Sequence, residues 1–532
     1  MTLNSPFKKP TMIIPVLVSL IVSGPVILAI WFGVFSPSGQ SWDHILTNRL
    51  LPYSLTTLFM LAITGGLVVL IAVPLAWLIS LFEFPGRKIF EWCLILPLAV
   101  PGYVLAYSWA NLASVAGPIQ IAFRDVTSLS ARDYWFPDIF TPAGLAVILA
   151  LGLFPYVYIT ARAAFSNQSL ATLEAARCLG VSGVRLFLKV AIPAARPAII
   201  AGLALALMEA AADYGAADYL GVQTLGVGII RAWSSYGEPT SAARLALILI
   251  GLAFSFMLIA NLAQGRSGAQ QTSYRWTTPQ RVQLTGFRGG LASLYCLSIM
   301  LVAFGIPVLR LIWLCLETGI PRRSVWDPVM SSVLLASAGT ASALICALTL
   351  VLSNHYRQQT QWLARLSAAS GYATPGAVLG LSGLFLLQAL GLSLSGGIAL
   401  VLLIWIYASR FTAAGTEPLY ASLARAPASL DQAARSLKIG RLSRFYRIDL
   451  PILSPGALAA SLILFVEILK ELPATLMLRP FGWDTLAVRA HAYASDERLA
   501  EATLPSLLIV MAGILPVLLL SYQITRSGEV LK

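Results

Sequence analysis

The sequence predicts an all-α polytopic membrane protein of about twelve transmembrane helices, arranged as two parallel six-helix repeats. Three observations predict it. Of 532 residues, 58% are hydrophobic and only 11% are charged, with a mean hydropathy of +0.79. That is too little charge to cover a soluble surface. Apolar runs long enough to cross a bilayer as helices recur along the chain, and helices satisfy their own backbone in lipid. Finally, landmarks of the first half return in the second, which implies a duplicated unit.

The elements follow in order. Lys8 and Lys9 precede an apolar run from about Met12 to Val34. The run is long and no small-x-small cleavage site follows it. It is therefore expected to be a retained first span with a cytoplasmic N-terminus. First-half spans are expected near 12–35, 56–81, 90–112, 142–163, 196–218 and 243–263. A basic linker, 264–288, carries Arg266, Arg275, Arg281 and Arg288 without an acid. Second-half spans are expected near 290–315, 331–353, 366–389, 396–413, 454–475 and 503–524. The domains are then 1–263, with a polar loop at 164–195, and 289–532, with a polar loop at 414–453.

Charge orients the chain. Loops placed inside are mostly basic, such as 82–89 with Arg87 and Lys88, whereas 113–141 outside mixes Arg124, Asp125, Arg132, Asp133 and Asp138. Arg322 and Arg323, in a loop placed outside, run against the trend. The net charge of +13 therefore fits anionic lipid and partner proteins and does not point to nucleic acid. Cys93, Cys178, Cys296, Cys315 and Cys346 are scattered without a CxxC pair and are read as packing residues.

The duplication is read from matched segments. Pro101-Gly102-Tyr103-Val104-Leu105-Ala106 resembles Pro375-Gly376-Ala377-Val378-Leu379-Gly380, and Thr56-Thr57-Leu58 resembles Ser331-Ser332-Val333. Glu174-Ala175-Ala176-Arg177-Cys178-Leu179-Gly180 matches Gln432-Ala433-Ala434-Arg435-Ser436-Leu437, and Ile192-Pro193 matches Leu450-Pro451 at equal spacing. Glu209 and Asp213 align with Glu467 and Glu471. In the polar loop, Ser169 can cap a short helix that Gly180 ends; Ser182 can start a second, carrying Arg185 and Lys189, which Pro193 is expected to stop.

This twice-occurring pattern of Glu-Ala-Ala, a glycine four residues on, and Ile-Pro resembles the coupling loop of type I ABC importer permeases. The resemblance covers nearly the whole chain, as two fused permease domains. It implies that Glu174, Ala175, Ala176, Gly180, Ile192 and Pro193, and Gln432, Ala433, Ala434, Gly440, Leu450 and Pro451, dock on two separate ATPase subunits. It also implies a periplasmic binding protein that delivers cargo. The second copy departs from the pattern: Gln432 replaces the acid, Lys438 the glycine, and Gly440 follows two residues later. Asp213-Tyr214-Gly215-Ala216-Ala217-Asp218-Tyr219-Leu220-Gly221 and Leu96-Pro97-Leu98-Ala99-Val100-Pro101-Gly102 resemble the ferric-iron permeases of this superfamily, which suggests iron as cargo. Thiamine permeases share the fused layout, and sulfate and polyamine permeases share the fold, so these stay open.

No G-x-x-x-x-G-K-[ST] loop occurs, so ATP with its Mg²⁺ is expected on the partner ATPase, with no cofactor and no resident metal on this chain. No catalytic constellation is present, and His44, His355 and His491 all fall in expected loops. The transport path is expected between the halves. Pro97, Pro101-Gly102 and Pro375-Gly376 mark breaks in the third span of each half, either lining that path or serving as passive kinks. Glu209 and Asp213, four residues apart, are expected on one helix face, with Glu467 and Glu471 repeating them. Buried in a membrane, such acids face a partner or a cavity: a ring of hard oxygens for a small, highly charged cation, or a structural hydrogen-bond cluster. An ion-coupled secondary transporter is the rival class; it would need neither an ATPase nor paired elbows.

Overall fold

The computed structural model describes residues 10–37, 39–166, 176, 178–181, 183–265, 281–319, 325–356, 361–424, 436 and 440–529. Among them, ten helices are long and apolar enough to cross a bilayer, and two further helix pairs are broken by bends of 94° and 101°. Counting each broken pair as one crossing gives twelve. The first half supplies Pro10–Phe35, Leu50–Leu81, the broken pair Arg87–Ala99 and Gly102–Thr127, Pro142–Ser166, Gly183–Ala212 and Pro239–Gly265. The second supplies Gly286–Glu317, Trp326–Tyr356, the broken pair Trp362–Ala373 and Gly376–Ala389, Gly396–Ala424, Phe445–Leu469 and Leu499–Glu529.

Prolines shape these helices in a repeated way. Among the described residues, four five-residue π-type turns, Ile45–Arg49, Phe187–Ala191, Leu301–Gly305 and Phe445–Asp449, each precede a proline: Pro52, Pro193, Pro307 and Pro451. A proline has no N–H to donate and its ring crowds the carbonyl four residues back. A wider turn just before it relieves that conflict without ending the helix. The expectation that Pro193 stops the basic helix is therefore corrected: the helix runs through it, and Gly183–Ala212 is continuous.

The fifth span of each half ends earlier than expected. It was placed at 196–218 and 454–475, but the helices close at Ala212 and Leu469. Each is followed by a short helix, Gly215–Tyr219 or Pro473–Leu478.

The chain packs as two compact units, one of residues 1–41, 229–247 and 322–489, the other of 42–228, 248–321 and 490–532. Each takes segments from both sequence halves. In the unit rich in second-half residues, the first span lies among second-half helices. Trp405 Nε1 donates to the Ile21 carbonyl (2.9 Å), Ser409 Oγ donates to the Val22 carbonyl (2.5 Å), and Phe32 stacks on Phe385 at 4.5 Å. Glu238 pins the end of this segment by accepting from the Ser41 N–H at 2.8 Å and the Ser241 hydroxyl at 2.8 Å. Desolvation opposes its charge, but these hydrogen bonds outweigh it and hold the Glu238 carboxyl below the usual range.

In the other unit, the first span of the second half lies among first-half elements. Strands Phe82–Glu83 and Val282–Gln283 pair in parallel, and the Leu284 N–H donates to the Glu83 carbonyl at 2.9 Å. Ser293 Oγ donates to the Pro85 carbonyl at 2.6 Å, and Arg310 Nε to Asn111 Oδ1 at 2.7 Å. Beside them Arg87, nearly buried, bridges Glu83 and Glu91 at 3.0 Å each, and Arg162 reaches Glu91 at 3.1 Å. The sequence halves are units of duplication, whereas these are units of packing.

Duplication reappears in hydrogen bonds. Thr57 Oγ1 accepts from the Leu225 N–H at 2.9 Å, and Ser332 Oγ accepts from the Leu486 N–H at 2.7 Å. In each case a hydroxyl of the second span satisfies an orphan donor at a helix start. The two helices so capped, Leu225–Ser234 and Leu486–Ser495, are equivalent.

Candidate functional site

The elbow begins at a described helical residue, Ala176. The Val181 N–H donates to the Ala176 carbonyl at 2.9 Å, and Gly180 sits at φ +80°. A six-to-one bond around a left-handed glycine is the way many helices end, and glycine adopts it without steric penalty. Past the elbow, Leu186 is buried against Leu81, with Trp77, Phe82, Ala176, Val181 and Val190 around them. The elbow thus leans on the end of the second span. Ile192 and Pro193 continue directly into the fifth span. Glu174 and Ala175 lie outside the described residues, as do Gln432, Ala433 and Ala434. In the second copy, the Gly440 carbonyl accepts from the Arg444 N–H at 2.9 Å at the start of a helical turn, and Leu450 and Pro451 open the fifth span.

The broken third spans bring other expected residues together. Pro97 sits inside the tight turn Leu96–Ala99. Val100 is extended, as a residue before proline prefers, and Pro101 is extended at φ −58°, ψ 147°. Gly102 then starts a new helix. Pro375 (φ −57°, ψ 144°) and Gly376 repeat the geometry. Against each new helix start lies a carboxylate. A Cβ added to Gly102 would fall 2.5 Å from Asp213 Oδ2, and one on Gly376 would fall 2.3 Å from Glu471 Oε1 and 2.6 Å from Arg410 Nη1. Only glycine lets the carboxylate approach the positive end of the helix so closely.

Each carboxylate also caps the next short helix. Asp213 Oδ1 accepts from the Ala216 N–H at 2.9 Å, and Glu471 Oε1 accepts from the Ala474 N–H at 3.0 Å. The expectation that Asp213 follows Glu209 on one helix face, with Glu471 following Glu467, is therefore corrected. The helix ends between them, because the carboxylate serves two helix starts and is drawn off the fifth-span axis. Glu209 stays on that helix, half-buried, and Glu467 Oε1 accepts from Lys470 Nζ at 2.7 Å. Arg410, which sequence reading passed over, lies 3.4 Å from Glu471 Oε2, and both are nearly buried. Its signal was present: an arginine in an apolar span demands a partner. Among the described residues, no group of three or more His, Cys, Asp or Glu side chains is placed to hold a metal.

Residues 68–267 match the family of binding-protein-dependent transport system inner membrane components. An Fe(3+)-transport system permease protein of Haemophilus influenzae is 26% identical over 473 residues, 87% of this chain and 88% of that protein. Over residues 68–267 the chain carries a permease domain of this binding-protein-dependent transport family, and its likeness to a permease extends over 87% of its length. A probable ABC transporter permease of Sinorhizobium fredii is 23% identical over 88% of the chain and 87% of its own length. The sulfate transport system permease protein CysT of Salmonella typhimurium is 26% identical over 43% of the chain and 82% of its own length. The permease is a multi-pass protein of the inner membrane, and its family implies an ATPase and a periplasmic binding protein as partners.

One permease residue set aside by sequence reading proves to be placed among polar partners. His491, on the helix Leu486–Ser495, is only 5% exposed. Its Nδ1 lies 2.8 Å from Tyr107 Oη, and its Nε2 lies 3.3 Å from Asp218 Oδ2. Asp218 and Tyr219 line a cleft of about 420 Å³ together with Asn111, Ser114, Phe140 and Glu497. No spacing rule could have found His491, since its partners lie 384 residues away at Tyr107 and far along the chain at Asp218.

Proposed function

We propose that the chain is the translocation subunit of an importer that carries ferric iron across the bacterial inner membrane. The single observation that carries this reading is similarity to an Fe(3+)-transport permease over most of the length, with 87% of the chain aligned. The sulfate permease aligns with 43% of it. Sulfate is the second reading, favoured by that relative, and a probable molybdenum ABC transporter permease of Haloferax volcanii at 29% identity over 43% of the chain extends it to oxyanions. In our reading the N-terminus is cytoplasmic and the chain divides at the 264–288 linker into domains 1–263 and 289–532. The loops 164–195 and 414–453 each engage one ATPase subunit, where ATP and Mg²⁺ bind. The elbows at Ala176–Gly180 and around Gly440 pass ATPase closure to the fifth spans that begin at Ile192-Pro193 and Leu450-Pro451. The breaks at Pro101-Gly102 and Pro375-Gly376 bend along the pathway, held by Asp213 and Glu471. A binding protein docks on loops 113–141, 219–241 and 477–500 and releases cargo there.

The test is uptake into proteoliposomes holding the permease and its ATPase, with Mg-ATP inside and a ferric-loaded binding protein outside. Radiolabelled iron is expected to accumulate; accumulation of sulfate instead of iron would overturn the cargo. Glu209 and Glu467 are the pathway carboxylates of this reading, since both stay on the fifth-span helices. The double substitution Glu209→Gln, Glu467→Gln is expected to abolish iron uptake while the ATPase still co-purifies. Normal uptake by that protein would remove both residues from the pathway.

A further inference from the structure

The ring nitrogens of His491 form a consistent set with their neighbours. With Nε2 protonated, the Tyr107 hydroxyl donates to Nδ1 and Nε2–H points to Asp218, so neither ring nitrogen is left without a partner. Aromatic faces hold the ring: Tyr214 lies 5.6 Å away, Tyr107 lies near-parallel at 6.4 Å, and Tyr219 packs edge-on against Tyr107 at 4.5 Å. Tyr107 belongs to the arm that follows the third-span break, and Asp218 to the short helix that Asp213 caps. His491 therefore ties two of the repeated elements of this unit to a helix contributed by the other half of the sequence.

The cleft in front of this trio is built from the three loops that the charge pattern places on one face: the end of 110–114 with Phe140, then 218–219, then 494–499. Asp218 both lines the cleft and pairs with His491.

Duplication supplies the comparison that gives the trio meaning. The equivalent helices Leu225–Ser234 and Leu486–Ser495 place Ile230 opposite His491. The helix starts at Gly102 and Gly376 place Leu381 opposite Tyr107. The caps from Asp213 to Ala216 and from Glu471 to Ala474 place Leu476 opposite Asp218. All three counterparts are apolar, and Ile230 and Leu381 are buried. Packing alone is met by aliphatic side chains at this point of the repeat. A buried imidazole with two polar partners is the more expensive solution unless its polarity is used.

We propose that His491 is a positioning residue for transport. Through Asp218 and Tyr107 it fixes the wall of the cleft in which a hard cation, released by the binding protein, is received. The inference rests on the reading of this chain as an iron importer. Asp218 presents a carboxylate to the incoming cation, Tyr219 adds a hydroxyl oxygen, and His491 holds Asp218 in place.

The experiment uses the full complex in proteoliposomes, varying the concentration of ferric-loaded binding protein and reading both iron uptake and binding-protein-stimulated ATP hydrolysis. His491→Leu is expected to lower uptake at low concentrations of loaded binding protein by about tenfold, the scale of a hydrogen bond to a charged group, with a smaller loss at saturation. His491→Gln, whose amide can donate to Asp218 and accept from Tyr107, is expected to restore most of it. Asp218→Asn is expected to lose at least as much as His491→Leu, and the double variant to be no worse than Asp218→Asn, since His491 acts through Asp218. Equal loss in His491→Leu and His491→Gln, or wild-type behaviour of His491→Leu, overturns the proposal. Failure of the iron reading looks different: the wild-type complex then takes up no iron, while the same pattern among the variants, read in the stimulated ATP hydrolysis, still decides the role of His491.

Discussion

Replacing Glu471 by alanine is expected to destabilise the permease by about 3–5 kcal/mol, the usual consequence of leaving one member of a buried ion pair behind. Arg410 and Glu471 are 8% and 5% exposed, and their closest charged atoms are 3.4 Å apart. The same carboxylate caps the helix Pro473–Leu478 through the Ala474 N–H and lies against the helix start at Gly376. Alanine would remove all three interactions at once. Thermal unfolding of the detergent-purified protein measures the effect, and uptake is expected to fall with it. Replacing both Arg410 and Glu471 by leucine is expected to recover part of the loss, because two uncharged side chains leave no orphaned charge. A Glu471→Ala protein as stable as the wild type would mean that Arg410 is satisfied by its other neighbours. Asp213, the first-half counterpart, has the Leu149 side chain at its glycine where Arg410 stands in the second. Asp213→Ala is therefore expected to cost only about 1–3 kcal/mol, that of unsatisfied helix-start donors.

Leu186→Asp is expected to separate the elbow from the membrane-embedded helices. Leu186 is 3% exposed in a small cluster with Leu81, Trp77, Phe82 and Val190, and Trp77 also packs on Phe187 at 5.2 Å. A carboxylate there has no cation among the cluster members and costs several kcal/mol to bury, so the elbow would swing away. If the elbow is the ATPase contact, co-purification of the ATPase is expected to drop by about tenfold or more, the equivalent of only ~1.4 kcal/mol of lost docking energy. Thermal unfolding of the remaining helices is expected to change much less, because Leu186 itself is not part of the larger core around Val68, Leu75, Phe154 and Tyr158, although Trp77 and Phe82 pack against both. Full co-purification with the ATPase would dismiss this elbow as the docking element.

Much of the architecture was legible in the residues. Apolar runs placed the crossings, and the Pro-Gly pairs at 101–102 and 375–376 foretold the breaks that the structure bends by 94° and 101°. Both readings rest on local rules: a helix in lipid needs apolar side chains along its length, and proline denies it a donor. Local rules also misled at Pro193, where a preceding wide turn carries the helix onward. They misled again at Asp213 and Glu471, whose spacing fits one helix face although each ends its helix to serve two others.

Sequence by itself determined that the chain crosses the membrane repeatedly, that its halves are copies, and where each third span breaks. Tertiary structure alone decided that the first span packs among second-half helices, that Gly102 meets Asp213 and Gly376 meets Glu471, and that His491 comes to Tyr107 and Asp218. The physical reason is the solvent. Lipid-facing and protein-facing sides of these helices are equally apolar, so periodicity does not mark which face finds which partner. Only shape and a few buried polar pairs choose among them, and both act between residues hundreds of positions apart.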